Sequence, residues 1–541
     1  MNKVASYLRG HLNGEISTRD DVREALSLDG GVLKLKPEMV IYPRDTNDIR
    51  KVTRFSWQLA EKGHALPITV RGAGTDATGA AIGKGICLVT TAHMNKLFEY
   101  DAKQKLIRLQ PGATIASVNQ ALALHGAHIM PLVGSQIYGT VGGAIASAVT
   151  GPLAGKYQTI EPTIDQLEVV LANGDVLQTK RLSKRELGRL KGEQSFVGDI
   201  YRGIDRIIED YADVLDTLRS NDAVGYNTIA DVKQKDGSFD LTPLFVGSQG
   251  TLGIIAEMIM KAEYRSLHIA TAALVFASRE LARDALDDIC KMAPAFVEYF
   301  DAELYDTATA AGREYSFYKS AAEAIKPASV VIVGFDDFSD RHRAKHLKRL
   351  KKQFGTIDGI VLSIAQNNDA DEMLAALDVP LYTARPDHGA EATPLLYSGF
   401  HVPTERLEDF VRGVEALSAK EHIALPMAGH AYTNTYSLYP QFSLSKVADK
   451  QKIFKLLDEL TKLVYDHGGT MIAEGGEGRL KAKFVYAQLD ERVVQMYEEI
   501  RKVCDPHTIL NPGVKQVAEV RAMAEMLRDH HDVGQNARYG V

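Results

Sequence analysis

Cysteine is scarce in this chain, which contains only Cys87, Cys290 and Cys504 among its 541 residues. No two of them have the C-x-x-C spacing, so the sequence indicates neither a disulfide framework nor a thiolate zinc site. Such low cysteine usage is typical of proteins in the reducing cytoplasm, and we expect a cytoplasmic location.

Long apolar stretches are also missing. No run approaches the roughly 20 apolar residues that a membrane-spanning helix needs. Residues 1–15 mix Lys3, Arg9 and Glu15 with polar residues instead of forming the apolar core of a signal peptide. We therefore expect no membrane span, although the sequence leaves peripheral attachment to a membrane open.

Charge of one sign does not dominate either. The chain has 63 basic and 70 acidic residues, a formal net charge of -7, and these residues are interspersed along the sequence. Without an extended basic stripe, nucleic acid is not an expected partner. The composition, 45% hydrophobic and 25% charged, is that of an ordinary globular protein. The length favours two domains, or one domain interrupted by another.

The first half of the chain alternates short apolar runs with helical patterns, which predicts a mixed arrangement of helices and strands. Residues 46–62 predict an amphipathic helix, and 67–70 and 86–89 predict short strands on either side of a glycine-rich loop at 71–79. This loop has the spacing G-x-G-x-x-x-x-G and leads into a strand. A Rossmann dinucleotide turn has G-x-G-x-x-G and leads into a helix, so that kind of NAD site is excluded here.

Two further loops, at 134–143 and 247–255, are rich in glycine and hydroxyl side chains, and small residues follow the first of them as far as Gly151. Glycine tolerates positive φ and lets other atoms approach the backbone closely. Three such loops in order can therefore offer many backbone N–H groups to one pyrophosphate.

Four ordered motifs give the chain a resemblance to a known family. R-G-x-G-T-x-x-T-G matches 71–79, T-x-G-G matches 140–143, G-T-L-G-I matches 250–254 and D-P-x-x-I-L-N-P-G matches 505–513. With these motifs the chain resembles the vanillyl-alcohol-oxidase and p-cresol-methylhydroxylase superfamily of FAD-linked oxidoreductases. Within that superfamily it resembles more closely the glycolate-oxidase subunits and the D-lactate and D-2-hydroxyglutarate dehydrogenases.

The resemblance implies an α+β fold, in which a two-subdomain FAD-binding domain of the vanillyl-alcohol-oxidase type carries a ferredoxin-like α/β cap domain. We expect the FAD-binding domain over 1–264, with its core at 35–264, and the substrate-binding cap over 265–474. The chain should return to the FAD domain at 475–516 and end in a helical tail at 517–541.

The region expected to form the cap lacks glycine-rich loops. Its pattern predicts strands at 272–276 and 330–333 and helices at 279–292 and 340–354. Alternation of short strands with polar helices is compatible with the ferredoxin-like cap. The helix at 340–354 is rich in Lys and Arg, and we interpret it as a solvated face.

The resemblance also implies that FAD is held without a covalent bond. Some members of the superfamily tether the flavin through a histidine in the first loop, but the matching residue here is Thr75. Arg71, which could also be a plain surface arginine at a strand end, is expected to neutralise the FAD phosphates, and Asn511 is expected near the flavin ring. The predicted cofactor-binding residues are Arg71, Gly72, Ala73, Gly74, Thr75, Asp76, Gly79, Gly134, Ser135, Thr140, Gly142, Gly143, Ser147, Gly151, Gly253, Ile255 and Asn511.

Candidate catalytic residues concentrate in two later segments. In the dehydrogenases that the chain resembles, the first segment has the pattern G-H-x-G-D-G-N-x-H and the second E-H-G-x-G. Two histidines and a glutamate there bind a divalent metal that grips the substrate and acidifies its hydroxyl group. His430 and Glu474 match this pattern, but Ser437 and Gly475 stand at the other two histidine positions. Because protein metal sites normally offer three or four ligands, we do not expect a divalent metal; if one binds, its ligands are His430 and Glu474.

The contacts to the substrate also depart from the family. Arg385 matches the arginine that clamps a substrate carboxylate, but Tyr397 stands near the position of the family's lysine. This change reduces the support for simple D-2-hydroxy acids as substrates.

A second hypothesis concerns the tyrosines near His430. If residues 430–436 form a strand, one face of it carries His430, Tyr432, Asn434 and Tyr436. His430 would then act as a general base, and the tyrosines would bind or activate an alcohol, phenol or carboxylate. The same pattern also fits a packed aromatic strand without a catalytic role. The predicted catalytic residues are His430, Glu474, Tyr432, Tyr436 and Arg385.

Together these features predict an FAD-dependent dehydrogenase that oxidises a small hydroxy acid or related alcohol by hydride transfer to flavin N5. One alternative is an oxidase of a phenolic or polyol alcohol with a Tyr/His site. The other is a flavin-binding subunit that has lost its chemistry. The expected partners are a small-molecule substrate and an electron acceptor, either a quinone, an electron-transfer protein or oxygen, and a homo-oligomer remains open.

Overall fold

The computed structural model describes residues 2–129, 138–157, 159–218, 222–266, 268–365, 369–380, 391–392 and 395–529. None of the helices in these ranges combines the length and the apolar composition needed to cross a membrane.

Two sheets organise the part of the chain before residue 265. Its described strands are β1 Glu15–Ser17, β2 Met39–Tyr42, β3 Ile68–Arg71, β4 Ile86–Val89, β5 Leu97–Asp101, β6 Leu106–Leu109, β7 Ala127–His128, β8 Ile164–Val170, β9 Val176–Gln178, β10 Ile254–Lys261 and β11 Glu263–Tyr264. One sheet has the order β1-β2-β4-β3, with β4 parallel to both β2 and β3. The other is antiparallel, with the order β5-β6-β10-β8-β9. The described helices are α1 Asn2–Arg9, α2 Asp20–Ala25, α3 Thr46–Glu61, α4 Ile115–Ala123, α5 Val141–Ala146, α6 Ala154–Tyr157, α7 Lys184–Lys191, α8 Phe196–Asp210, α9 Ala212–Leu215 and α10 Thr242–Phe245.

The remainder of the chain is built around one antiparallel sheet of seven strands. Its described strands are β12 Ala270–Phe276, β13 Phe296–Asp301, β14 Ser329–Phe335, β15 Ile360–Ile364, β16 Glu391–Ala392, β17 Phe400–His401, β18 Met427–His430, β19 Thr435–Leu438 and β20 Phe442–Ser443. The helices described here are α11 Arg279–Cys290, α12 Ala302–Ala310, α13 Ser316–Ala324, α14 Asp340–Phe354, α15 Asp369–Ala375, α16 Leu407–Glu421, α17 Val447–Asp466, α18 Ala482–Tyr486, α19 Glu491–Cys504 and α20 Val520–Ala524.

The seven-stranded sheet contains a ferredoxin-like unit. Its order is β15-β12-β14-β13-β18-β19-β17. The first four strands in chain order, β12 to β15, therefore stand in the order fourth, first, third, second, and α11 and α14 connect the first strand to the second and the third to the fourth. This is the strand order and connectivity of the β-α-β-β-α-β arrangement expected for the cap, with α12 and α13 inserted between the second and third strands.

The two faces of this sheet pack against different helices. On β13, Val297 and Tyr299 pack into the same cluster as the buried side chains of α11 and α14. Phe296 and Phe300 point to the other face and pack with side chains of α12 and α13. Because side chains alternate along a strand, Glu298 shares this second face with Phe300.

Several elements predicted from periodicity agree with the structure. The helix predicted over 46–62 is α3, which begins after Asp45, whose side chain accepts from the Asp48 backbone N–H. The basic helix predicted over 340–354 is α14. In the predicted tail, the structure has the short helix α20, and residues 530–541 lie outside the described ranges.

Candidate active site

A cavity of about 890 Å³ lies between the glycine-rich loops and the second face of the cap sheet. Small-molecule and cofactor sites commonly have volumes of about 300–1,000 Å³. The predicted FAD-binding residues that line it are Gly72, Ala73, Gly74, Thr75, Asp76, Thr140, Gly142, Gly143, Ser147, Gly151, Gly253 and Ile255. Gly134 and Ser135 lie outside the described residues.

The first loop has a backbone suited to close contact with a ligand. Gly74 has a φ of 77°, a conformation that glycine adopts without strain. A Cβ atom at Gly72 would come within 2.2 Å of Thr140 Oγ1, so the first and second loops meet where no side chain would fit. Within the described chain, the N–H groups of Ala73 and Thr75 donate to no other residue. These amides are therefore available to phosphate oxygens.

Arg71 lies behind this loop and not on the cavity wall. Its side chain is 4% exposed, and its Nη1 donates to the backbone oxygens of Leu28 at 2.6 Å and Ala81 at 3.4 Å. A Cβ atom at Gly74 would come within 2.0 Å of Arg71 Nη2. Arg71 thus packs against the side of the loop that faces away from the cavity. This position does not support the predicted contact with the FAD phosphates. Gly79 also lies behind the wall, where its φ of 84° turns the chain.

Asn511 is likewise away from the cavity wall. Its Nδ2 donates to the backbone oxygens of Ala80 and Gln249, both at 2.8 Å, and its Oδ1 accepts from Thr69 at 3.0 Å. Because these bonds occupy the side-chain amide, the structure does not support its predicted place beside the flavin ring. Asn511 instead connects the first loop to the third.

On the cap side, the centre of the cavity wall is His430, the last residue of β18. Its Nδ1 lies 2.8 Å from both carboxylate oxygens of Glu298, which is 5% exposed. The two residues meet because β13 and β18 are antiparallel neighbours and Glu298 stands opposite His430 in their register. Glu298 was not predicted from the sequence.

The ionisation of His430 is controlled by its acidic neighbours. Burial alone would lower the pKa of His430, but the charge and hydrogen bond of Glu298, with a further contribution from the charge of Glu474, outweigh burial and raise the pKa to about 9. At neutral pH the imidazole therefore holds a proton in the free protein.

Glu474 faces the same cavity and is held by a residue near the second loop. Its Oε2 accepts from the backbone N–H of Thr150 at 3.0 Å and from its hydroxyl at 2.7 Å. Gly475, at a histidine position of the family pattern, has a φ of 81°, and no atom lies within 4 Å of where its Cβ would be. The structure thus brings Glu474 and His430 together as predicted, with Thr150 as an additional contact.

The single strand over 430–436, on which the tyrosine hypothesis depends, is not present. β18 ends at His430 and β19 begins at Thr435, and the four residues between them form a turn in which Asn434 has a φ of 54°. The two strands pair as a hairpin, so the alternation expected for one strand does not hold across the turn.

The hairpin moves both predicted catalytic tyrosines away from the cavity. Tyr432 lies in the turn, against Gly155, and Tyr436 is 1% exposed within the core. Ser437 and Tyr439 line the cavity in their place. The four-residue turn shifts by one residue the positions that face the cavity, so that odd-numbered residues after it face inward and Tyr436 does not.

The remaining predictions concern a metal and the carboxylate clamp. Among the described residues, no group of three or more His, Cys, Asp or Glu side chains could hold a metal ion. Arg385 lies outside those residues. Tyr397 is fully buried and donates its hydroxyl to the Ile453 backbone oxygen at 2.8 Å. Arg313, which was not predicted, contributes a cation to the cavity wall.

Comparison with known proteins decides the family. A model of the FAD binding domain matches residues 37–180, and a model of the C-terminal domain of FAD linked oxidases matches residues 266–514. The crystal structure of p-cresol methylhydroxylase with substrate bound superposes with a TM-score of 0.69 at 13% identity, covering 95% of this chain and 96% of that one. The chain therefore carries an FAD binding domain and the C-terminal domain of FAD linked oxidases, which together span most of its length, and it shares the fold of p-cresol methylhydroxylase. The predicted family and fold class are thereby confirmed.

Proteins of known activity that are similar to the chain are distant in sequence. D-2-hydroxyglutarate dehydrogenase of Escherichia coli strain K12 is 23% identical over 519 residues, which cover 92% of this chain and 50% of that protein. The chain therefore spans half the length of this relative. Glycolate oxidase subunit GlcD of Bacillus subtilis strain 168 is 24% identical over 480 residues, which cover 88% of each chain.

The cavity fits the FAD that the matched FAD binding domain implies. The amides of the first loop, the small residues of the second and Gly253 of the third surround one continuous space that extends to His430. In this space Gly250 has a φ of 71°, and no atom lies within 4 Å of its Cβ position. Glycine is thus required there by backbone conformation, and the space beside it is free for a cofactor.

We predict that this FAD is bound without a covalent link. The cavity wall has Thr75 where tethered members of the superfamily have histidine, and a threonine hydroxyl does not form that bond. Precipitation of the purified protein with acid should release all of its flavin into the supernatant as FAD, measured by fluorescence and chromatography. Flavin that stays on the precipitated chain would contradict the prediction.

Proposed function

We propose that the protein is an FAD-dependent dehydrogenase that oxidises the CH–OH group of a small hydroxy acid or related alcohol. The observation that carries this proposal is the pairing of His430 with Glu298 on the wall of the cavity that the three FAD loops form. Relatives named for hydroxy acid oxidation support the substrate class.

In this mechanism the flavin, when bound, supplies the acceptor for the substrate hydride. His430 Nε2 takes the proton of the substrate hydroxyl, because Nδ1 is occupied by Glu298. Glu298 holds the ring in place and stabilises the imidazolium that forms. Glu474, fixed by Thr150, lies close enough to add to the field at His430.

The raised pKa of His430 predicts how the reaction depends on pH. Only the neutral imidazole can accept a proton, and its population grows as the pH approaches about 9. We therefore expect kcat/KM to rise about tenfold per pH unit below that value and to level off above it. A decline of kcat/KM above this pH would show that His430 acts as a cation and not as a base.

Glu298→Gln tests the source of this pH dependence. Without the carboxylate, burial lowers the pKa of His430, so the rising limb of kcat/KM should move from about 9 to the ordinary value of 6.5 or below. The exposed Glu323→Gln is the matched control and should leave the limb unchanged. If kcat/KM of Glu298→Gln still rises near the wild-type pH, Glu298 does not set the pKa of the catalytic base.

The substrate itself can be found by an anaerobic screen of flavin bleaching. Hydroxy acids, polyols and phenolic alcohols should be compared, each with and without EDTA. Bleaching by a hydroxy acid that EDTA does not affect supports the proposal. Bleaching that EDTA abolishes and added metal restores would show that His430 and Glu474 bind a metal.

A second candidate function is a flavin-binding subunit without chemistry of its own. Ser437 and Gly475, at two histidine positions of the family pattern, favour it. This candidate predicts that no compound in the screen bleaches the flavin, although dithionite still reduces it.

A further inference from the structure

One helix of the cap has a basic surface that the proposed activity does not use. The exposed cations of α14 are Arg341, Lys345, Lys348, Arg349, Lys351 and Lys352. Four of them, at spacings of four, three and four residues, form a straight stripe about 16 Å long, and the other two flank it. We call these six residues the α14 stripe. Among the described residues, no carboxylate forms an ion pair with any of them.

The two acidic residues at the N-terminal end of the helix do not pair with the α14 stripe. Asp340 pairs with Arg343, and Asp337 lies 3.5 Å from His346 Nε2. Both partners lie on the side of α14 that faces the protein, where Leu350 is completely buried. The stripe is on the opposite side of the helix and faces solvent, so its six charges add to one another.

Exposed apolar side chains stand at both ends of the α14 stripe. Phe338, two residues before the helix, is 74% exposed, and Ile357, three residues after it, is 41% exposed. A row of cations between two exposed apolar side chains matches an anionic lipid surface, where Lys and Arg bind headgroups and apolar side chains enter the interface. Duplex nucleic acid would match the cations but would leave Phe338 and Ile357 without an apolar environment.

We propose that the α14 stripe, with Phe338 and Ile357, docks the protein on an anionic lipid surface. Each Lys or Arg close to such a surface adds to the attraction. The whole chain has a net charge of -7, so attraction to anionic lipid must come from a local patch. α14 covers the face of the cap sheet opposite the cavity, so docking leaves the cavity uncovered. The proposal goes beyond the interpretation of α14 as a solvated face, with which its exposed side chains agree.

The test uses the full-length FAD-bound protein and sedimentation with lipid vesicles. We expect binding to phosphatidylcholine vesicles that contain about 30 mol% phosphatidylglycerol, and none to pure phosphatidylcholine. Raising the salt from about 0.1 M to about 0.5 M should release the protein, because the Debye length then falls to a few ångströms. The variant with Arg341, Lys345, Lys348 and Lys352 changed to Gln should partition at least tenfold less.

The matched control changes four other exposed cations to Gln, namely Lys180, Lys184, Arg185 and Arg189 on and before α7. It alters the net charge equally and should bind vesicles as the wild type does. Phe338→Ser, which keeps every charge, should weaken binding to anionic vesicles and leave flavin content unchanged. Failure of the wild type to bind anionic vesicles, equal binding by the α14 variant, or retention on DNA without any on vesicles would each overturn the proposal.

Discussion

Replacing His430 with Gln is expected to slow reduction of the flavin by substrate about 10²- to 10⁴-fold, the range for loss of a positioned proton acceptor. Gln keeps a polar group beside Glu298, so the buried carboxylate is not left without a hydrogen-bond donor. The rate should be measured by stopped-flow absorbance at saturating substrate, with the flavin content determined for the same preparation.

Two further measurements separate catalysis from structure in this variant. The pH limb near 9 should disappear in His430→Gln, because the group that titrates is gone. The exposed His64→Gln is the matched control and should keep both the wild-type rate and the limb. An unchanged reduction rate in His430→Gln, with full flavin content, would exclude His430 as the base.

The flavin side of the site could be predicted because its signal is local. The amides that line the cavity belong to short glycine-rich stretches. A motif of nine residues such as 71–79 is recognisable in the sequence, and its glycines determine the backbone conformation of the loop. The same motif does not show which side chains face inward. Arg71 and Asn511 belong to matched motifs, yet both lie behind the wall and hold the loops in place.

The catalytic side of the site could not be predicted in full, because its residues pair with partners that are distant in sequence. Glu298 is 132 residues from His430 in sequence, and Thr150 is 324 residues from Glu474. Each pair forms because strand register or a packed loop brings distant residues together, and one sequence does not show that register. His430 and Glu474 were predicted because the resemblance pointed to them, whereas their partners required the structure.

The tyrosine hypothesis failed for a different reason, which is a missed turn. A period of two over 430–436 fits one strand, but Thr433 and Asn434 are residues typical of turns, and Asn434 has a φ of 54°. A four-residue hairpin loop between two short strands is equally compatible with the sequence of this segment. The residues that line the cavity here are consequently Thr435 and Ser437 on β19 and Tyr439 directly after it.

The location of FAD is tested most sharply by a glycine whose replacement leaves the protein fold undisturbed. Gly143 lines the cavity in α5, and the nearest atom to a Cβ placed there is Thr140 Oγ1 at 3.0 Å. A valine at this position therefore projects into the space assigned to FAD, with only a small shift of the Thr140 hydroxyl, and valine is not worse than glycine within a helix. We expect Gly143→Val to fold but to bind FAD at least tenfold more weakly, a loss of about 1.4 kcal/mol for each factor of ten.

Gly188 in α7 provides the matched control, since it is also helical and no atom lies within 4 Å of its Cβ position, but it is exposed and remote from the cavity wall. Gly188→Val should therefore retain FAD as the wild type does. Flavin content after gel filtration and titration of the flavin-free proteins with FAD measure the difference, and the thermal midpoints of the two flavin-free variants should be similar. If Gly143→Val keeps its full FAD content, the cofactor does not lie against the second loop, and the assignment of the cavity must be abandoned together with the role of His430.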